Sequence, residues 1–372
     1  MIAIYSNNSS TDNYINQLNF YQPYRVYQSL DDYLNSDSQI KIAFINHRAR
    51  IYEDSTIIDV TECFFQEIDK LKAHSDLLIA FDNELHPYHC NLFQQHQQTN
   101  VCWVIPGHVN DQQLVDSNNV IQWNAHFIQF LLEYGPVSDA LNELDHRSSK
   151  PMYFDALLGQ TRCHRDFIYQ AIHSHNLQNK ILTTYMNYIT PVDCPFHTML
   201  KSTLEWEPDI ENFNETVTLS THYVQYRGHN IALSRIVPVG IYDRTAYSIV
   251  AETGFDNRYS FFTEKTAKPM MARRLFVVFS GYKFLQNLRN LGFQTFDNVI
   301  DESYDLIYNN QDRWSAAFDQ VQRLCEMDQQ EVFEKIAPAV AHNYRLLVNT
   351  DWTQHMLDQV QQKLNQQLAS HV

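Results

Sequence analysis

No two of the six cysteines, Cys63, Cys90, Cys102, Cys163, Cys194 and Cys325, form a CxxC pair. Thiols so widely spaced read as reduced and mostly buried, which excludes a disulfide framework and a cysteine-built zinc site. Positive charge is short as well: 27 Lys and Arg face 43 Asp and Glu, a formal net charge of −16. That balance argues against a surface that neutralises a nucleic-acid backbone, while leaving room for a local basic pocket around one pyrophosphate. No run approaches the ~20 apolar residues of a membrane span. The opening MIAIYSNN has neither the basic start nor the long apolar centre of a signal peptide. The expectation is a soluble, cytoplasmic protein. No D-x-D pattern occurs, so neither a metal-bridged pyrophosphate nor a bound cofactor is expected. Internal repeats are not visible either. Glycine is scarce, at 8 residues, a bias that assigns no function.

What is present, 372 residues with 44% hydrophobic content, suits two domains of ordinary size. Short aliphatic runs at 2–5, 40–45, 77–81, 101–105 and 120–123 read as buried strands. Between them, 59–72 reads as an amphipathic helix with Val60, Phe64, Ile68 and Leu71 on one side. Strands alternating with helices mean βα units, a parallel sheet and the α/β class. Residues 147–151, polar and closed by Pro151, are the best linker candidate. A strand at 152–158 follows, then Gly159, then a helix over 166–175 with Phe167, Ile168, Ala171 and Ile172 as its buried stripe. The irregular stretch 190–214, with three prolines, receives no elements. Residues 216–223 alternate like a strand, and 247–251 and 275–279 read as two more. After Asp312 the chain turns helical. Asp328 and Glu331 form a capping-box pattern, and Pro338 is expected to kink the helix they open. Met356, Val360, Leu364 and Leu368 make a one-sided seam that should dock. The implied division is 1–148, 149–345, and a C-terminal helix, 346–372, packed back on the body.

Chemistry concentrates between Ser248 and Asp305. One strand ends at Glu252, a polar crossing follows, and a helix opens at Thr263-Glu264-Lys265. A second aliphatic strand then stops at Ser280-Gly281. In an open parallel sheet, ligands bind in the crevice outside the carboxyl ends of the strands. Glu252, Glu264 and Lys265 fall at such places.

The order Glu252, then Thr263-Glu264-Lys265, then an aliphatic strand ending in a small residue, resembles the donor-site motif of α1,3-fucosyltransferase-like enzymes. These are GT-B glycosyltransferases, with two Rossmann-like domains facing each other across a cleft. The segment 152–158, followed by Arg165 and an amphipathic helix, looks like the first strand of their C-terminal domain with its pyrophosphate-binding arginine. The run 288–296 with Glu302-Ser303-Tyr304-Asp305 is similar to viral and bacterial glycosyltransferase-like proteins. The likeness covers residues 150–345, and the N-terminal half matches only in general style. One departure is Phe261, where the fucosyltransferases carry a tyrosine, so a hydrogen bond from that hydroxyl is missing. The resemblance implies an N-terminal acceptor domain and a C-terminal donor domain. It also implies a nucleotide sugar and a carbohydrate acceptor as substrates.

Transfer from a nucleotide sugar leaves a nucleoside diphosphate, on which negative charge grows as the sugar becomes cationic. Lys, Arg and helix N-termini can balance that charge. Arg165 can hold two phosphate oxygens at once, and Lys265 adds a compact charge. Backbone N–H groups after Thr263 can join them. Glu264 can accept both ribose hydroxyls, and Glu252 would face the donor sugar or orient Lys265. An inverting transfer also needs a base from the other domain. The candidates are Asp82, Glu84 and His86, with His47 and His108 behind them. Plainer readings stand beside these. A Glu-Lys pair opening a helix favours the macrodipole without any ligand. Arg165 can pair with Asp155 or Asp166 at the surface. Lys268, Arg273 and Arg274 read as a solvated helix face, and Tyr304-Asp305 as a helix start. Two other functions stay open: a non-catalytic carbohydrate- or nucleotide-binding protein on the same scaffold, and transfer to modified DNA bases, which the acidic total disfavours.

Overall fold

The computed structural model describes residues 1–7, 9–47, 50–53, 56–59, 61–82, 100–111, 113, 115, 120–123, 144–145, 148–159, 162–185, 223–226, 229–232 and 237–369. It is α/β, with parallel sheets and a helical C-terminal region. Two compact units divide the chain, 1–125 with 351–372, and 126–350. The last helix therefore belongs with the first unit.

The first unit is built on a parallel sheet of six strands: β1 (Ile2–Ser6), β2 (Tyr24–Tyr27), β3 (Ile40–His47), β4 (Leu77–Asp82), β5 (Val101–Pro106) and β6 (Val120–Trp123), in the order β2-β1-β3-β4-β5-β6. β1, β4 and β5 are buried along their whole length, which is why they read as unbroken aliphatic runs. Edge strand β2, YRVY, is half exposed and carries no such run. Helix α1 (Thr61–His74) buries Ile68 and Leu71; Val60 and the side chain of Phe64 lie outside the described residues. The C-terminal helix, Trp352–Ala369, buries Met356, Val360, Leu364 and Leu368, the seam its four-residue recurrence predicts. It packs against β6.

The second unit holds a four-stranded parallel sheet of β7 (Met152–Leu158), β8 (Ile181–Tyr185), β9 (Thr245–Ala251) and β10 (Phe276–Phe279), ordered β8-β7-β9-β10. Helix α2 (Cys163–Ser174) joins β7 to β8, and α3 (Glu264–Met271) joins β9 to β10. From β7 the chain steps outward one way and from β9 the other way, so the strand order reverses between β7 and β9. α2 buries Ile168, Ala171 and Ile172 as expected. Phe167, the fourth member of that stripe, is half-buried against Trp314 and Phe318. Four further helical segments follow: α4 (Phe284–Asn290), a 3-10 turn at Glu302–Leu306, α5 (Asn310–Leu324) and α6 (Gln329–Asn349). Asp328 caps α6 by accepting from the Glu331 N–H at 3.0 Å, and α6 continues through Pro338.

Arg274 corrects the sequence reading of a solvated helix face. It is buried, 6% exposed. Its guanidinium donates to Asp155 Oδ1 at 3.0 Å, Thr245 Oγ1 at 2.8 Å and Ser248 Oγ at 3.2 Å. It also donates to the carbonyls of Tyr242, Thr245 and Tyr247 at 2.6–2.9 Å. Arg273 supplies the reason: at φ 49° it turns the chain back just after α3 ends. Asp155, read as a surface partner for Arg165, is thus paired with Arg274 in the interior.

Candidate functional site at the strand-order reversal

Open parallel sheets leave a crevice where the strand order reverses, because the connections on either side depart to opposite faces. In the second unit that crevice lies between the carboxyl ends of β7 and β9. Two successive residues at the start of α2 enter it. His164 is fully buried, and its Nε2 meets the Glu252 carbonyl at 2.7 Å. Arg165, 4% exposed, donates from Nη2 to the carbonyls of Ala251 at 3.3 Å and Glu252 at 3.4 Å. Gly159, which ends β7, makes room for this side chain: a Cβ there would stand 3.3 Å from Arg165 Nη1. Arg165 is therefore not a surface ion-pairing residue. Asp166 accepts the Tyr185 hydroxyl.

Burial chiefly, and then the positive charge of Arg165, push His164 from its ordinary value down to about 3; Arg162 and Lys265 lower it further, and the Glu252 hydrogen bond opposes them. Its imidazole is thus neutral and adds no positive charge to those of Arg165 and Lys265. The stability consequence has a definite sign. Above the unfolded value near 6.5 both states hold a neutral ring, but between about 6.5 and 3 only the unfolded chain takes the proton. Stability should fall with decreasing pH through that window, by up to about 1.4 kcal/mol per unit. Denaturant titrations of wild type and His164→Gln at pH 7 and pH 5 check this. The variant should lose that part of the slope, and identical slopes would contradict the assignment.

The third contributor is the entry of α3. Thr263 is its N-cap, accepting from the Lys265 N–H. Glu252, fully buried, ties this entry to the end of β9. Its carboxylate accepts from the Thr263 hydroxyl at 2.6 Å, the Thr263 N–H at 3.2 Å, the Thr253 N–H at 3.1 Å and the Thr266 hydroxyl. Both carboxylate oxygens are engaged inside the protein, so Glu252 is a clamp between β9 and α3. Its sequence reading as a group facing the sugar has no support in this arrangement. Of the backbone N–H groups after Thr263 proposed for phosphate, that of Lys265 is likewise in use.

Lys265 is partly exposed. Its Nζ donates to Thr253 Oγ1 at 3.1 Å and pairs with Glu264 at 2.6 Å. Arg165 and Lys265, from separate βα turns, thus both reach residues 251–253. Glu264 is ion-paired here, so its use on ribose hydroxyls requires that pair to be shared. Phe261, where the fucosyltransferases carry tyrosine, is a buried core residue.

No protein-family model matches the chain, and no curated protein matches it.

In the first unit, Asp82 is fully buried at the end of β4, in register with His47 at the end of β3. Glu84, His86 and the His47 side chain lie outside the described residues. His108 is half-buried, and burial lowers its pKa. Where the strand order of this unit reverses, between β1 and β3, Asn7 closes the edge by accepting from the Asn46 N–H at 2.9 Å and donating to the Asn46 carbonyl at 3.3 Å. Among the described residues, no group of three or more His, Cys, Asp or Glu is placed to hold a metal ion. A surface hollow of about 340 Å³ lies between α2 and α5, and none of the predicted site residues lines it. The sequence assigns no role to His164 or Gly159, though both stand in the short stretch that leads from the strand at 152–158 to Arg165.

Proposed function

We propose that this chain is a glycosyltransferase of the GT-B class, similar to the α1,3-fucosyltransferase-like enzymes. It moves a sugar from a nucleoside-diphosphate donor to a carbohydrate acceptor. The second unit carries the donor, and the first supplies the acceptor's base from among Asp82, Glu84 and His86. The observation that carries this reading is the meeting of Arg165 and Lys265 at the end of β9, where the strand order reverses. Protein cations there neutralise the departing diphosphate, the part a metal plays in other transferases.

A second reading is favoured by the Glu252 clamp and the Lys265–Glu264 pair, which satisfy three of the predicted donor contacts internally. It is a non-catalytic nucleotide- or carbohydrate-binding protein. Incubation with a panel of nucleotide sugars separates the two. Sugar transfer or slow donor hydrolysis is expected from an enzyme, and binding without turnover across the panel would leave the binding protein.

A further inference from the structure

We infer that Tyr282 and Tyr308 form a stacking platform for the base of a nucleoside diphosphate whose phosphates lie at Arg165 and Lys265; the inference rests on the diphosphate reading above. The two rings stand at the same carboxyl edge as that site, with centroids 5.5 Å apart and planes at 66°. Tyr308 is 66% exposed, and Leu306 beside it is 57% exposed.

An exposed ring is commonplace; an exposed ring on a rigid mount is less so. The backbone here is fixed from several sides. Asn257 accepts from the Tyr282 N–H at 3.0 Å and donates to the Tyr308 carbonyl at 2.6 Å. Arg313 donates to the carbonyls of Ser280 at 3.1 Å, Ile307 at 2.6 Å and Tyr308 at 3.2 Å. Gly281 lies so close that a Cβ would stand 2.2 Å from the Asp256 carbonyl oxygen. Lys283, at φ 64°, sets its ammonium 5.3 Å from the Tyr282 ring centre. With its backbone held this way, the platform has less conformational freedom to lose when a flat ligand settles on it.

Continuity with the cation site comes from one loop. Its first residue, Glu252, receives His164 and Arg165 through its carbonyl, and Asn257 of the same loop holds both tyrosine backbones. Five residues span at most ~17 Å of chain. This loop bends at Thr253 and turns at Asn257, so its two anchoring points lie closer together than that. The helix that starts beside Tyr282 offers no competing phosphate site, because Asp305 already accepts from the Leu285 and Gln286 N–H groups at 2.9 Å. Phosphate is thereby directed to the Arg165 end of the loop and the base to the tyrosine end.

Calorimetric titration of wild type, Tyr308→Ala and Tyr308→Phe tests the assignment, with adenosine, guanosine and uridine diphosphates and with inorganic pyrophosphate as probes. The alanine variant should bind the preferred nucleoside diphosphate at least about ten-fold more weakly. Its pyrophosphate affinity should not change, and Tyr308→Phe should stay close to wild type. Unchanged nucleoside-diphosphate affinity in Tyr308→Ala would overturn this inference alone. Wild type that binds neither pyrophosphate nor any of the nucleotides would overturn the diphosphate reading with it.

Discussion

Arg274→Ala is expected to destabilise the protein by about 3–5 kcal/mol, the cost of removing one partner of a buried ion pair. Against a usual total of ~5–15 kcal/mol this is a large fraction. The loss has two sources. Asp155 is left buried without its cation, and three carbonyls, those of Tyr242, Thr245 and Tyr247, lose their donor. The pH dependence follows from Asp155, whose carboxyl burial already pushes above the ordinary range against the pull of Arg274. Without the arginine, the folded state holds that proton more tightly than the unfolded chain does. The variant's deficit should therefore be smallest near pH 4 and grow as pH rises. Urea denaturation at pH 4.5 and pH 7.5 measures it, and a deficit that is small and flat with pH would contradict the buried-pair account. An Asp155→Leu, Arg274→Met double variant should recover the part of the loss due to the stranded carboxylate, since apolar replacements of a whole buried pair are often neutral.

Arg165→Ala is expected to weaken nucleoside-diphosphate binding roughly 10- to 100-fold, the worth of hydrogen bonds to a charged group. Arg165→Lys should recover only part of this, because an ammonium cannot repeat the two-pronged contact with phosphate oxygens. Lys265→Ala should cost less, since that ammonium is partly exposed and already shared with Glu264. The side chain also donates to carbonyls at the end of β9, at 3.3 and 3.4 Å, so its folding consequence is read separately, by melting. A melting temperature close to wild type with lost binding is the expected pattern. Lost binding that tracks a collapse in melting temperature would instead mark Arg165 as structural.

The strands were legible because burial on both faces leaves little but aliphatic residues in them, as in LLIAFD and VCWVIP. Edge strand β2 escaped notice for the converse reason, since two of its four residues are exposed. Arg165 and Lys265 were legible as strand-end cations. Their depth was not, because it depends on Gly159, whose missing side chain leaves the space that the guanidinium fills. The clamp made by Glu252 was not legible because of distance along the chain. Its partners Thr263 and Thr266 lie 11 and 14 residues away, and nothing local announces that a carboxylate will cap a helix across a loop. Arg274 was misjudged because a positive φ at its neighbour reverses the chain, and a non-glycine residue gives no warning of that.

The central claim is that a guanidinium and an ammonium from two βα turns hold a diphosphate without help from a metal. Titrating a nucleoside diphosphate into the wild-type protein and into the Arg165→Ala, Lys265→Ala double variant, both in excess chelator, addresses it directly. Saturable binding to wild type that is absent from the folded double variant is the predicted result. Equal affinity in the two proteins, or wild-type binding that appears only when a divalent cation is restored, would contradict it.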